Sequence, residues 1–137
     1  KLEIGAQTAE QIKITVGSAM RARSKNILVK GRDLVSGIPK TIDIRSDEIR
    51  QALKDPVKRI LDVLKDALEA TPAELSSDII DRGIILAGGG SQLRGLDQVL
   101  REKTGVPVNV ADEPHLAIVK GCGAVIEDLE KFKHVLL

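Results

Sequence analysis

Hydrophobic positions in the first part of the chain follow helical spacing and then strand alternation. Residues 8–19 carry an apolar side chain at every third or fourth position, which predicts a helix with Thr8 as its N-cap. Residues 26–30 and 41–44 alternate polar and apolar side chains, and the glycines and proline between them favour a hairpin. We therefore expect one helix followed by a β-hairpin.

A long amphipathic pattern follows from Ser46 to Leu68. Ser46 is a suitable N-cap, and the acids at the next two positions suit the positive end of the helix dipole. Pro56 interrupts the pattern, and because proline inside a helix removes a backbone hydrogen bond, we expect a kink or a division there. A shorter helix is predicted to begin with Pro72 at its first position and to end near Asp81.

The remaining pattern alternates strands and helices. Residues 83–87 form a short apolar run, which indicates a strand buried on both faces of a parallel sheet, and three glycines follow it directly. A helix over 96–103 and a strand over 107–110 complete a right-handed crossover unit, so the two strands should be parallel neighbours. A last helix is predicted from about His115, with an apolar stripe that continues to Phe132.

Composition restricts the class of protein. Of the 137 residues, 42% are hydrophobic and 30% are charged, so the chain can bury the core of one compact domain with at most a small appended one. No apolar run approaches the roughly 18 residues of a membrane-spanning helix, and no leader precedes Lys1, so we expect a cytosolic protein. The single cysteine, Cys122, excludes an internal disulfide and a multi-cysteine zinc site, and we expect it to be a small core residue.

Charge is divided unevenly along the chain. Residues 1–60 contain 13 Lys or Arg and 7 Asp or Glu, whereas residues 61–137 contain 8 and 13. Such a division favours a basic surface for nucleic acid, two faces that meet between copies of the molecule, or simply two solvated faces. A net charge of +1 and a single aromatic residue, Phe132, argue against binding of single-stranded nucleic acid.

Two segments carry residues suited to binding a nucleotide. Gly88, Gly89 and Gly90 leave the backbone without Cβ atoms at the carboxyl end of a predicted parallel strand, where ligands of open α/β sheets bind. Glu10 and Lys13 share one face of the first helix, where a carboxylate can accept hydrogen bonds from a ribose and a lysine stem can cover a purine. The alternatives are a tight structural turn for the glycines and an ordinary surface ion pair for the charged residues.

Neither a catalytic nor a metal-binding arrangement is predicted. His115 and Cys122 lie on one helix face, but seven residues at about 1.5 Å each separate them by roughly 10 Å, which is too far for a thiolate pair. The two histidines stand nineteen positions apart with no cysteine cluster, unlike the ligands of a zinc site. No complete active site is expected within these residues.

Four stretches match a known family in order along nearly the whole chain. They are TAEQIK at 8–13, VKGRDLVSGIPK at 29–40, TPAEL at 71–75 and DRGIILAGGGSQLRGL at 81–96. In these stretches the chain resembles the bacterial actin-like, cell-shape-determining MreB family. The resemblance implies an α/β protein with the actin-like ATPase (ribonuclease H-like) fold, of which this chain would be the second lobe only.

The resemblance also implies a division of the lobe. Residues 1–56 would form a small basic subdomain with a hairpin and an adenosine-contacting helix, and residues 57–137 a ribonuclease-H-like half-domain with the glycine loop. The two phosphate loops and the membrane-contacting surface of the family lie N-terminal to the region matched here.

Six positions match the adenosine contacts of the family. They are Glu10 and Lys13, for the ribose and adenine, and Gly88, Gly89, Gly90 and Ser91, for the loop. The implied cofactor is ATP or ADP, with Mg²⁺ bound mainly by residues outside this chain. Because the phosphate loops lie elsewhere, we expect the chain alone to bind nucleotide weakly or not at all and to be inactive as an ATPase.

The implied function is that of a cytoskeletal protein that binds ATP, polymerises and organises rod-shaped cell-wall growth. Its implied partners are further copies of itself, head to tail, and the cell-elongation machinery with its membrane-anchored adaptor. We expect it in the cytoplasm at the inner face of the cell membrane, without nucleic acid. The alternatives are a lobe of a small-molecule kinase of the same fold and a basic nucleic-acid-binding module.

Overall fold

The computed structural model describes residues 1–135 and begins with an antiparallel sheet beside one helix, α1 (Ala6–Val16). The sheet has three strands, in the order β1 (Leu2–Glu3), β2 (Asn26–Asp33) and β3 (Pro39–Arg45). Buried Ile12 and Val16 of α1 pack against buried Val29 of β2 to form a small core. The predicted helix and hairpin are confirmed, and β1 is an addition because a two-residue strand carries no periodicity.

The ends of α1 differ from the prediction. The helix begins at Ala6, so Thr8 lies inside it and is not the N-cap. The Gly5 carbonyl accepts a hydrogen bond from Ala9 at 3.0 Å and opens the first turn. At the other end, Gly17 has extended backbone, with φ −64° and ψ 144°, so the helix stops at Val16 and does not reach Ala19.

A single long helix, α2 (Ser46–Glu69), runs through Pro56, so the expected division there is wrong and the kink stays a prediction. Proline removes one backbone donor and its ring crowds the carbonyl four residues earlier, but the next residue, Val57, is buried in one cluster with Leu96 and Leu100. Packing along the helix therefore outweighs the loss of one hydrogen bond.

The start of α2 also differs from the prediction. Ser46 is the first helical residue and not the N-cap, and its hydroxyl accepts a hydrogen bond from the Lys25 amide at 3.0 Å. The cap is instead made by Glu48, whose carboxylate accepts the Arg45 amide at 2.9 Å.

The second part of the chain is a crossover unit with flanking helices. Its elements are α3 (Ala73–Arg82), β4 (Ile84–Leu86), α4 (Leu96–Thr104), β5 (Val108–Val110) and α5 (Ala117–Glu127). β4 and β5 are parallel, with Ile84 opposite Val108, as predicted. Pro72 immediately precedes α3 and is not its first helical residue. The core of this part consists of Val57, Leu96, Leu100 and Val108.

Two burial predictions for this part are wrong. Ile85 of β4 is 66% exposed, so the strand is not buried on both faces: in the described part of the chain β4 pairs only with β5, and only one face of that pair packs on a core. α5 ends at Glu127 and buries none of its side chains, so Cys122 is exposed and Phe132 lies beyond the helix. The apolar pattern of these elements predicted that further helices or strands pack on them, and residues 1–135 contain no such elements.

Two separate cores lie on either side of residue 56, and α2 runs across that position without a break. The division into residues 1–56 and 57–137 stays a prediction, and residues 136–137 of its second part lie outside the described residues. Among the helices of residues 1–135, none is both long and apolar enough to cross a membrane.

Candidate functional site

One face of α1 forms a wall of a cavity of about 530 Å³. Glu10 and Lys13, which were predicted to share that face, both line it, together with Ile14 and Gly17. The Lys13 ammonium lies 2.7 Å from the Glu10 carboxylate, and their side chains are 39% and 53% exposed. The pair therefore lies at the mouth of the cavity, where both groups can still contact a ligand.

The glycine loop forms the opposite wall, as a 3-10 turn over Gly89–Gln92. Gly88 has φ +81°, a conformation that favours glycine, and it turns the chain out of β4. A Cβ built on Gly89 or Gly90 would meet nothing within 4 Å, so the loop has open space beside it. This is the bare backbone that the sequence predicted.

Ser91 shapes the loop and does not line the cavity. Its side chain is buried, and its hydroxyl donates a hydrogen bond to the Gly88 carbonyl at 2.7 Å. Of the six predicted site residues, the structure brings Glu10, Lys13, Gly89 and Gly90 onto one cavity, while Gly88 and Ser91 do not line it. Their role in binding a nucleotide stays a prediction.

The floor of the cavity is apolar and was not predicted from the sequence. It consists of Leu53, Pro56, Val57 and Ile60 of α2, with Leu93 and Leu96 after the loop. In a sequence, an apolar residue that lines a cavity has the same helical spacing as one that fills a core. Within that stripe, Pro56 is the one residue that is unusual in a helix, and it was the only sign in the sequence that this face differs from an ordinary core face.

Hydrogen bonds fasten the glycine loop to the end of α1. The Arg94 guanidinium donates to the Thr15 carbonyl, and the Arg94 carbonyl accepts the Ala19 amide at 2.8 Å and the Ser18 hydroxyl at 3.2 Å. The two walls are thus connected directly and not only through the core. Sequence reasoning missed Arg94 because these are long-range contacts with backbone atoms.

The site offers groups for binding and orientation. Its volume is within the roughly 300–1,000 Å³ of small-molecule sites, and an apolar floor with a few charged groups at the rim is typical of them. Within residues 1–135 there is no group of three or more His, Cys, Asp or Glu side chains that could hold a metal ion. The Asp33 pKa is lowered strongly by a hydrogen bond from Lys40, but Asp33 is in the hairpin and does not line the cavity.

Comparison with known sequences shows which family and which proteins this chain is similar to. The sequence model of the MreB/Mbl protein family matches residues 1–134. The cell shape-determining protein Mbl of Bacillus subtilis is 48% identical over 132 residues, and the cell shape-determining protein MreB of Escherichia coli is 43% identical over 128 residues. These matches cover 96% and 93% of the chain but only 40% and 37% of the relatives, so the chain spans about two fifths of their length.

Comparison with solved structures also finds a member of this family. The crystal structure of MreB5 of Spiroplasma citri bound to ADP is 32% identical with a TM-score of 0.89, covering 97% of this chain and 41% of that one. A MamK double helical filament is 20% identical with a TM-score of 0.66, covering 83% of this chain and 35% of that one, and shows the fold alone.

Proposed function

Because the chain belongs to the MreB/Mbl family, we propose that it supplies the adenosine-binding half of the nucleotide site in a longer cell-shape-determining protein. Its fold is the actin-like ATPase fold, as the resemblance implied. One observation carries the proposal: the Glu10–Lys13 pair and the glycines at 89 and 90 line opposite walls of one cavity.

The residues fit a purine nucleoside. The Glu10 carboxylate would accept hydrogen bonds from the ribose hydroxyls, and the Lys13 stem would cover one face of the base. The base would lie on the apolar floor from α2, and the missing side chains of Gly89 and Gly90 would let it approach the backbone. ATP supplies phosphoryl-transfer chemistry when bound, with its phosphates and Mg²⁺ held mainly by residues outside this chain.

A relative supports this assignment. MreB5 of Spiroplasma citri, at 32% identity, was crystallised with ADP and with AMPPNP. A nucleotide of the same class suits the cavity described here, which has an apolar floor and three charged lining residues, Glu10, Lys13 and Arg94. The chain spans only about two fifths of its relatives, so ATP hydrolysis belongs to the longer protein as a proposal.

We extend the proposal to self-assembly at the inner face of the cell membrane, together with the cell-elongation machinery. The basic first part and the acidic second part would attract each other between successive copies. Besides these charged surfaces, the tip of the β2–β3 hairpin offers an apolar one. Its residues Leu34, Val35 and Ile38 are 56%, 90% and 63% exposed.

The test is nucleotide affinity of the intact protein that contains this chain. We expect Glu10→Gln combined with Lys13→Gln to weaken binding of fluorescent ADP about tenfold or more, the loss of at least one charge-assisted contact. Glu130→Gln with Lys133→Gln, at another exposed i, i+3 pair, is the matched control and should leave affinity unchanged. Equal affinity of the first variant and the wild type would exclude the adenosine site.

A second measurement tests the division of the site. Calorimetry on the 137-residue chain alone should detect weak binding or none, since we propose that the phosphates are held mainly by residues outside it. Submicromolar affinity for ATP would contradict this.

A further inference from the structure

A small pocket lies where the loop after α1 meets the start of α2. Its volume is about 20 Å³, which gives room for about one oxygen atom of a ligand. Of the five charged residues that line it within residues 1–135, four are basic and one is acidic: Arg23, Lys25, Arg50 and Arg94, with Asp47. The lining of this basic pocket thus has an excess of three positive charges, and it favours an anionic ligand.

Backbone hydrogen bonds hold the loop that carries two of these cations. The Ser46 amide donates to the Lys25 carbonyl at 2.8 Å, and the Lys25 amide donates to the Ser46 hydroxyl at 3.0 Å. At the other end of the loop, the Ala19 amide donates to the Arg94 carbonyl at 2.8 Å. The backbone on either side of Arg23 is therefore fixed by the fold itself, which lowers the cost of ordering the loop when a ligand binds.

Arg50 gives a second indication of an anion. Its Nε atom is buried, and no atom of residues 1–135 accepts a hydrogen bond from it. An oxygen of the Asp47 carboxylate lies 3.5 Å away, close enough for a charge interaction but outside hydrogen-bond geometry. A buried donor without an acceptor costs free energy, and an oxygen of an anion bound by Arg50 would supply the acceptor.

The side chains of the basic pocket suit a phosphate group. A guanidinium is planar, and its forked N–H donors match two oxygens of a phosphate. Arg23 and Arg50 provide two such forks, and Lys25 adds a compact charge with three donors. A carboxylate has too few oxygens for all three cations, whereas a phosphate can offer one to each. Since the pocket has room for about one oxygen, the others would lie outside it, where Arg23 and Lys25 are exposed.

A groove beside the basic pocket extends the positive charge. The groove lies between α2 and α4, has a volume of about 240 Å³ and shares Arg50 with the pocket. All the charged residues that line it within the described part of the chain are basic, namely Arg50, Lys54, Lys58 and Lys103. The positive potential along this face of α2 would draw a multiply charged anion towards the pocket.

We propose that the basic pocket of Arg23, Lys25 and Arg50 binds a phosphate group, either as free phosphate or as the headgroup of an anionic lipid. Both sources present the same tetrahedral oxyanion. None of these three residues lines the cavity assigned to the nucleotide, so the proposal does not rest on that assignment. Arg94 lines both sites and is therefore left unchanged in the variants that test the pocket.

Thermal melts of the intact protein test the pocket, with ADP in excess so that phosphate does not compete for a nucleotide site. Sodium phosphate should raise the melting temperature of the wild type more than sodium chloride of equal ionic strength, because a ligand of the folded state stabilises it. Arg23→Gln with Arg50→Gln should raise the apparent dissociation constant for phosphate about tenfold or more, the loss of at least one charge-assisted contact. The general effect of phosphate as a salt is common to both proteins and cancels in the comparison.

Arg21→Gln with Arg59→Gln is the matched control. It removes the same two charges from the same loop and the same helix, at residues that line neither the basic pocket nor the groove, and it should respond to phosphate like the wild type. If the first variant does not fold in chloride, Arg23→Lys with Arg50→Lys takes its place. It keeps the charge but not the forked donors, and it should also bind phosphate more weakly than the wild type.

Vesicles distinguish the two sources. Sedimentation with vesicles of phosphatidylglycerol, and with vesicles of phosphatidylcholine as the neutral control, measures binding to lipid headgroups. A specific effect of soluble phosphate that is lost in the double variant, with unchanged vesicle binding, assigns free phosphate. Loss of binding to anionic vesicles, without a specific effect of soluble phosphate, assigns the headgroup, and loss of both assigns both. Equal behaviour of the wild type and the double variant in both assays would overturn the proposal, and so would an equal loss in the matched control.

Discussion

The guanidinium of Arg94 donates a hydrogen bond to the backbone carbonyl of Thr15, and it thereby ties the glycine loop to the helix across the cavity. The Arg94 carbonyl in turn accepts the Ala19 amide at 2.8 Å. One residue thus spans both walls of the candidate site through its side chain and its backbone. We therefore expect the spacing between the Glu10–Lys13 pair and the loop to depend on this connection.

Replacing Arg94 should weaken nucleotide binding. In the intact protein, Arg94→Ala removes a charge-assisted hydrogen bond of about 1.5–3 kcal/mol and leaves the loop free to shift. We expect ADP affinity to fall about tenfold, which corresponds to about 1.4 kcal/mol, in a fluorescence titration.

Arg101→Ala is the matched control for Arg94→Ala. The Arg101 guanidinium also donates to a backbone carbonyl, that of Val108, at 2.6 Å, but Arg101 does not line the cavity. This variant should lower the melting temperature without changing affinity. An affinity for ADP that is unchanged in Arg94→Ala would show that Arg94 does not position the site.

A methyl group on the loop should affect binding and not folding. A Cβ at Gly90 would meet nothing within 4 Å, and Gly90 is not among the glycines with positive φ. We expect Gly90→Ala to keep the unfolding free energy within about 1 kcal/mol of the wild type, while ADP affinity falls because the methyl occupies space beside the loop. Gly123→Ala, in α5 and also with open space around its Cβ, is the control that should leave both unchanged. Full affinity in Gly90→Ala would mean that no ligand approaches this backbone.

The sequence predicted the elements of the site better than their limits. The spacing of Glu10 and Lys13 on a helix, and the glycines after a strand, follow from local periodicity and carry over to the structure. Pro56 was expected to kink or divide α2, and the helix is not divided, because the neighbouring Val57 packs in the core. Burial of Ile85 and Cys122 was predicted from apolar patterns, but no helix or strand of residues 1–135 covers these side chains. A local pattern shows that a face is apolar, and it does not show which element packs on it.

Gly17 should contribute to the stability of the fold. A Cβ there would clash with the Lys13 carbonyl oxygen and lie 3.3 Å from Leu53, so the end of α1 would have to move. We expect Gly17→Ala to lower the free energy of unfolding by about 1–3 kcal/mol, the usual cost of overpacking, as measured by urea denaturation. Gly5→Ala, at the other end of the same helix, meets nothing within 4 Å and should change it by less than about 1 kcal/mol. Equal destabilisation by both would mean that this contact does not set the effect.

The turn of the hairpin should make stability depend on acid pH through Asp33. Its carboxylate accepts hydrogen bonds from the Lys40 ammonium at 2.8 Å and from the Val35 and Ser36 amides at 2.8 and 3.3 Å, and these hold the Asp33 pKa well below its ordinary 3.8. Since the folded pKa is the lower one, the stabilisation is complete at pH values above the ordinary pKa and is lost as the pH falls towards the folded pKa. Asp33→Asn should therefore lower the melting temperature at pH 7. It should also make the melting temperature fall less steeply between about pH 5 and pH 2. The control Asp62→Asn, on the exposed surface of α2, should behave like the wild type. Melting curves of Asp33→Asn that run parallel to those of the wild type across this range would rule out the role of Asp33.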